Sequence, residues 1–131
     1  TSFKAEILDE GHDLVADTLK IALYTSSANL GAGTTAYSTS NEISGTGYTA
    51  GGVTLTNKAV STTGTTAHFD ADDPTWTSAS FTANGALIYN SSATNAAVCA
   101  IAFGSDKTAT NGTFTIQFPT ADATNAIIRL A

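Results

Sequence analysis

The chain has 131 residues and a mass of 13.3 kDa, room for one domain and no separate catalytic or regulatory one. Charged residues make up 12%, about half the usual share, yet 42% is hydrophobic, which excludes a disordered polar tract. Five basic residues against eleven acidic ones give a net charge of −6 with no basic stripe, so neither nucleic acid nor an anionic membrane is an expected partner.

Thr and Ser supply roughly a quarter of the chain and Ala with Gly another quarter, so hydroxyls rather than charges must build the polar surface. That suits strands with Thr facing outward, and it suits a surface lying against other proteins, because interface cores are poor in charge. No apolar run approaches the ~18 residues of a membrane span. The first residues, Thr-Ser-Phe-Lys-Ala-Glu, hold no apolar signal core, so the expectation is either a protein cytosolic when made, with Thr1 fitting loss of an initiator Met, or one whose signal has been removed. The single Cys99 forms no internal disulfide, so the fold does not depend on an oxidising compartment.

Seven of the sixteen charges fall in residues 1–20: Lys4, Glu6, Asp9, Glu10, Asp13, Asp17 and Lys20. Phe3, Ile7 and Leu8 share one side of a helical pattern there, predicting a short helix over 3–10 with Ser2 as its cap and Gly11 as its stop. Residues 1–18 are read as this helix and a linker, serving as an arm or an edge cover, and 19–131 as the β domain. Leu19–Tyr24 is a strong strand. A Gly/Ser/Thr/Asn-rich loop over 25–41 follows, too long for a hairpin connection and suited to reach a neighbour.

Further strands are predicted at 53–56, 67–71, 76–82, 86–89, 98–103, 113–118 and 126–130. Turns are expected at Asp72-Asp73-Pro74, Asn84-Gly85, Asn90-Ser91-Ser92, Ser105-Asp106 and Asn111-Gly112. Seven or eight short strands at this spacing predict a mainly β, single-domain antiparallel β-sandwich or barrel with a short N-terminal helix.

Candidate chemistry is thin. Asp70, Asp72 and Asp73 form the densest acidic cluster and offer oxygens for Ca²⁺, but their spacing is not that of an EF-hand, and Asp73-Pro74 reads as a turn. Within that stretch Phe69 and Ala71 are expected to face inward, and His68, Asp70 and Asp72 outward. His12 and His68 lie far apart in sequence. No Gly-x-Ser-x-Gly elbow or zinc-spaced Cys/His set accompanies them, and both read as surface or hydrogen-bonded structural residues. Cys99 shares a strand face with Ile101 and Phe103 and reads as a small core residue with a raised thiol pKa.

Gly45, Gly47, Gly51 and Gly52 lack the Lys and following helix of a phosphate loop and read as turn or bulge positions. Tyr48 and Trp76 read as core or interface aromatics, with a sugar-stacking platform as the alternative. No catalytic residue, cofactor or metal is assigned, and the structural residues singled out are Gly47, Tyr48, Gly51, Gly52, Phe69, Trp76, Phe81 and Tyr89.

Several distinct blocks follow one another along nearly the whole chain: Asp17-Thr18-Leu19-Lys20-Ile21-Ala22-Leu23-Tyr24-Thr25, Asn41-Glu42-Ile43, and Gly45-Thr46-Gly47-Tyr48-Thr49-Ala50-Gly51-Gly52-Val53. After them come Phe69-Asp70-Ala71-Asp72-Asp73-Pro74-Thr75-Trp76, Phe81-Thr82-Ala83, Phe103-Gly104-Ser105-Asp106 and Gly112-Thr113-Phe114-Thr115-Ile116. In this combination the sequence resembles a family of small virion structural proteins of tailed bacteriophages. The resemblance implies a non-enzymatic, β-rich component of the virus particle. Its first form is a capsid decoration (cement) protein and its second a tail-associated or fibre protein. The implied partners are the major capsid protein or other virion proteins and further copies of the chain, in a homo-oligomer. A carbohydrate-binding β-sandwich module is the alternative outside that family.

Overall fold

Strand β1 (Leu19–Tyr24) is covered on both faces in the computed structural model, which describes residues 2–131. Apart from Lys20, β1 is apolar, and such a run is sheltered on both faces only inside a layered structure, which places β1 within a sheet. It pairs antiparallel with β2 (Val53–Thr54) on one side and with the end of β5 (Thr75–Asn90) on the other. β5 turns through Asn90 into β6 (Ala96–Thr115), giving a four-stranded sheet in the order β2-β1-β5-β6. A second antiparallel sheet holds β3 (Ala59–Thr63), β4 (Thr66–Asp70) and β7 (Ile128–Leu130) in the order β3-β4-β7. The fold is thus mainly β, with seven strands in two antiparallel sheets consistent with a β-sandwich, and one short helix, α1 (Ser2–Leu8).

The core fills the space between the sheets. Leu19, Ile21 and Leu23 of β1 join Phe69 of β4, Ile88 of β5 and the aromatic group Trp76, Phe81 and Phe114. Trp76 lies 5.9 Å from Phe114 and 6.5 Å from Phe81 between ring centroids, both edge-on, an arrangement aromatic quadrupoles favour. A second apolar cluster lies on the opposite face of the four-stranded sheet. There Ala22, Tyr24, Leu87, Tyr89 and Ala97 are covered by Ala28, Leu30 and Tyr37 of the long loop.

The structure departs from the sequence expectation along the hairpin. The predicted strands 76–82 and 86–89 are one strand, β5, and 98–103 and much of 113–118 belong to one strand, β6. Asn84-Gly85, Ser105-Asp106 and Asn111-Gly112 do not turn the chain. They sit at bulges within these strands, where the register slips between Ala79 and Phe81 and between Ala83 and Gly85. Side chains alternate with period two, so a bulge moves the inward set from one parity to the other. Trp76 faces the core from an even position. Past Ser78, which takes φ 49°, Ala79, Phe81 and Ala83 face it from odd positions. Past the next slip, Ala86 and Ile88 face it from even positions again.

Strand β3 was not expected. All five of its residues are exposed and it carries no apolar alternation, so the pairing Val60 to Phe69 and Ser61 to His68 alone defines it. His68 is buried rather than outward, with its Nε2 3.0 Å from Thr63 Oγ1.

Helix α1 also differs in its ends. Ser2 lies within the helix rather than capping it, and its buried hydroxyl has no partner among the described residues. At the other end, Glu10 takes the left-handed φ of 55°, and the Gly11 N–H donates to Glu6 O at 2.7 Å. Gly11 is required for space, because a Cβ there would stand 2.9 Å from Glu6 O.

Trp76 is 3% exposed, and its indole N–H has no hydrogen-bond partner among the described residues. Trp76→Ala is expected to lower unfolding free energy in urea by about 3–5 kcal/mol. Trp76→Phe should cost far less, because it keeps an aromatic ring and gives up no hydrogen bond. A loss below about 1 kcal/mol for the alanine variant, typical of a surface substitution, would contradict the packing described.

Candidate functional site

The long loop does not reach away from the body. Its apolar residues fold back over the outer face of the four-stranded sheet, and the backbone fastens it at both flanks. Thr25 N donates to Asn41 O at 2.9 Å, Tyr37 N to Asn95 O at 2.9 Å, and Ala97 N to Thr35 O at 2.9 Å. A chain of Gly, Ser, Thr and Asn has little apolar surface with which to hold itself down. What pins it is Glu42, the sole charged residue between Lys20 and Lys58.

One Glu42 oxygen accepts the Tyr37 hydroxyl at 2.6 Å. The other accepts the Tyr48 hydroxyl at 2.6 Å and the Gly51 N–H at 2.7 Å. Tyr48 in turn accepts the Leu23 N–H of β1 at 3.0 Å. Tyr89 donates to Gly51 O at 2.8 Å and stacks on Tyr37 with centroids 4.5 Å apart. Tyr24 donates to Ser38 O at 2.7 Å. All four tyrosines of the chain therefore serve this one junction. Gly52 permits the close approach it needs, since a Cβ there would lie 1.8 Å from Ile21 O, and its φ is +74°.

A second polar junction ties the N-terminal segment to the hairpin turn. Asn90, with no exposed surface, accepts the Ser92 and Ala93 N–H groups on Oδ1 at 2.9 and 3.1 Å. This fixes the orientation of its amide. Nδ2 then donates to Asp17 Oδ2 at 2.6 Å and to His12 Nδ1 at 3.0 Å. His12 Nδ1 must accept, so its proton sits on Nε2 and is donated to Glu6 Oε2 at 2.9 Å. The Asn90 hydrogen bond is the main cause holding the Asp17 carboxyl below the usual carboxylate range. Phe3 packs against the core and stacks at a tilt on the His12 ring, 5.1 Å between centroids. Residues 2–18 are thus attached to the body at several points.

Two of the three carboxylates of the acidic cluster hold neighbouring loops. Asp72 Oδ2 accepts the Thr56 hydroxyl at 3.3 Å and the Asn57 amide at 2.5 Å. Asp73 Oδ1 accepts the Phe118 N–H at 2.8 Å, and Asp70 ends β4 opposite Ala59. Among the described residues, no three His, Cys, Asp or Glu side chains stand where they could hold a metal ion. Tyr48, half-buried, and Trp76 lie in the inner aromatic group with centroids 6.4 Å apart, so neither face is free to stack on a sugar. Phe69, Phe81 and Tyr89 are buried, and Gly47, at φ +84°, lets the chain pass over Ser78 O. Cys99 packs against the core, and burial pushes its thiol up to about 12.

Sequence reasoning passed over Glu42, Asn90, Asp17 and Tyr37. The isolation of Glu42 in a long uncharged stretch was the available signal, because a lone carboxylate among tyrosines has few other uses.

What remains at the surface is broad and weakly charged. Between Thr75 and Thr115 the only charged residues are Asp106 and Lys107. Exposed hydroxyls pair across the hairpin, Thr75 with Thr115 at 3.2 Å and Thr82 with Thr108 at 2.7 Å. Beside the N-terminal segment, Leu8 (88% exposed), Val15 and Val60 are exposed large apolar side chains. Comparisons with protein-family models, with curated proteins and with solved structures find no match.

Two measurements test the loop anchor. Glu42→Ala leaves two hydroxyls and one N–H without their acceptor and is expected to cost about 2–4 kcal/mol of stability. It should also speed proteolytic cleavage within 25–52. The tyrosines give a pH signature. Burial raises Tyr24 from 10.0 to about 12. Burial, and then the Glu42 carboxylate, also push Tyr37 and Tyr48 upward. The folded chain therefore keeps protons that the unfolded chain releases. Their contribution to stability is complete below pH 10 and is lost as pH rises through the folded-state values. Phenolate absorbance of the folded protein should lag behind that of the urea-unfolded chain between pH 10 and about 12.

Proposed function

We propose that this chain is a non-enzymatic structural protein of a tailed-phage particle, a decoration protein that binds the head lattice in many copies. The observation that carries the reading is the surface of the long hairpin, whose exposed positions are mostly Thr and Ser with only Asp106 and Lys107 charged. Charge is depleted where a protein surface meets another protein, whereas solvent-facing strands ordinarily carry it. The exposed Leu8, Val15 and Val60 add apolar contact area. The ordered sequence blocks that resemble small virion proteins point the same way.

A lattice offers the same binding surface many times. Weak individual contacts then hold through linked copies, and no deep pocket or catalytic group is needed. The partners in this reading are the major capsid protein or other virion proteins, and the place of action is the particle assembled in the host cytoplasm. Quantitative mass spectrometry of purified particles tests it. Hundreds of copies per particle are expected. A few to a few dozen would move the protein to the tail, and absence from the particle would overturn the virion reading altogether.

A further inference from the structure

Sheet edges expose unpaired backbone groups, and folded proteins usually blunt them with short strands, charges or proline. Three of the four edges here are blunted. β2 has two residues, β7 has three with Arg129 among them, and β3 has five and follows Lys58. The fourth is β6, twenty residues long and paired on one side only, with β5. The loop covers its first residues through the Ala36–Ala96 bridge and the Ala97 N–H to Thr35 O bond. From Val98 to Phe103 no backbone hydrogen bond is made on the outer side among the described residues. That stretch, Val-Cys-Ala-Ile-Ala-Phe, contains neither charge nor proline.

We propose that Cys99–Phe103 pairs antiparallel with the same segment of a second copy of this chain, about a two-fold axis beside Ile101. The segment is self-complementary in this register. A two-fold perpendicular to a sheet places residues of the same face opposite each other, so Ile101 meets the partner's Ile101, Cys99 the partner's Phe103, and Ala100 the partner's Ala102. On the core side, a small side chain thus faces a large one. A recess of about 320 Å³ beside Cys99 and Ala100, lined also by Phe3, Leu30 and Leu87, leaves space at the start of this edge. On the opposite side, the two alanines are exposed and too small to obstruct.

No like charges are brought together, because the five paired residues carry none. This is the condition a heavily acidic chain must meet to pair with itself. Gly104, at φ +79°, and the bulge through Asp106 end the regular edge and limit the pairing to this segment. The axis uses both free edges, so the assembly closes at two copies and does not propagate. The pairing does not rest on the virion reading, and its test uses the isolated full-length chain.

Sedimentation equilibrium of the wild-type protein should show a monomer–dimer transition in the micromolar range, as befits an interface at the small end of the scale. Ile101→Lys, which places a charge at the axis, should remain monomeric with an unchanged far-ultraviolet spectrum. For register, Cys99→Ser/Ile101→Cys should form a disulfide-linked dimer on mild oxidation, since its two thiols then stand directly opposite. Cys99→Ser/Ala100→Cys should not, because position 100 faces position 102. A wild-type chain that stays monomeric into the millimolar range would overturn the proposal. So would an Ile101→Lys variant that dimerises like wild type, or cross-linking at position 100 as efficient as at 101.

Discussion

Burial of β1 and the end of β5 on both faces is the constraint from which the rest of the molecule follows. Two strands so apolar cannot leave either side to water. The three-stranded sheet covers one side, with Phe69 and the aromatic group between the layers. The other side has no third sheet, so the loop must serve as the missing layer, with Ala28, Leu30 and Tyr37 laid over Ala22, Leu87 and Tyr89. Three apolar side chains are a modest cover. The loop is held as much by polar bonds as by packing, and those converge on the Glu42 carboxylate. A charged acceptor makes stronger bonds than a neutral one, and a half-buried site shields them from competing water.

The same economy appears at the start of the chain. Asn90 sits where the hairpin reverses and satisfies the turn with its oxygen and the N-terminal segment with its nitrogen. One amide thereby couples the turn, Asp17 ahead of β1, and His12 behind α1. The charges gathered in residues 1–20 are partly consumed in this junction. The hairpin beyond it is left with almost none. The division of labour follows: ionised groups fasten the covering segments, and hydroxyls and alanines form the surface presented outward. That surface suits contact with other proteins, and it leaves one strand edge without the charges that would keep a second strand away.

The long hairpin gives the molecule reach without a second core. β5 and β6 outrun the short strands of the facing sheet, and their bulges keep Trp76, Phe81, Ile88 and Phe114 pointing inward although the sequence positions change parity. A straight pair of that length would carry part of its apolar set to the outside. Bulges also bend and twist the ribbon, which lets it wrap the smaller sheet.

From the sequence by itself, the β class, the strand at 19–24, the short N-terminal helix and the inward position of Phe69 could be read, while Trp76 was open between core and interface. Each of these rests on local alternation, apolar runs or turn residues. The hairpin's continuity could not be read, because a bulge and a turn use the same residues, Asn-Gly and Ser-Asp, and only cross-strand pairing tells them apart. Strand β3 was hidden for a related reason: five exposed residues leave no period to detect, and their pairing with β4 defines them. The bonds by which Glu42, Asn90, His12 and Asp17 join separate segments span five to seventy-eight residues. Such contacts exist only once the chain has folded, so tertiary structure alone decided that the isolated carboxylate and the four tyrosines form one fastening.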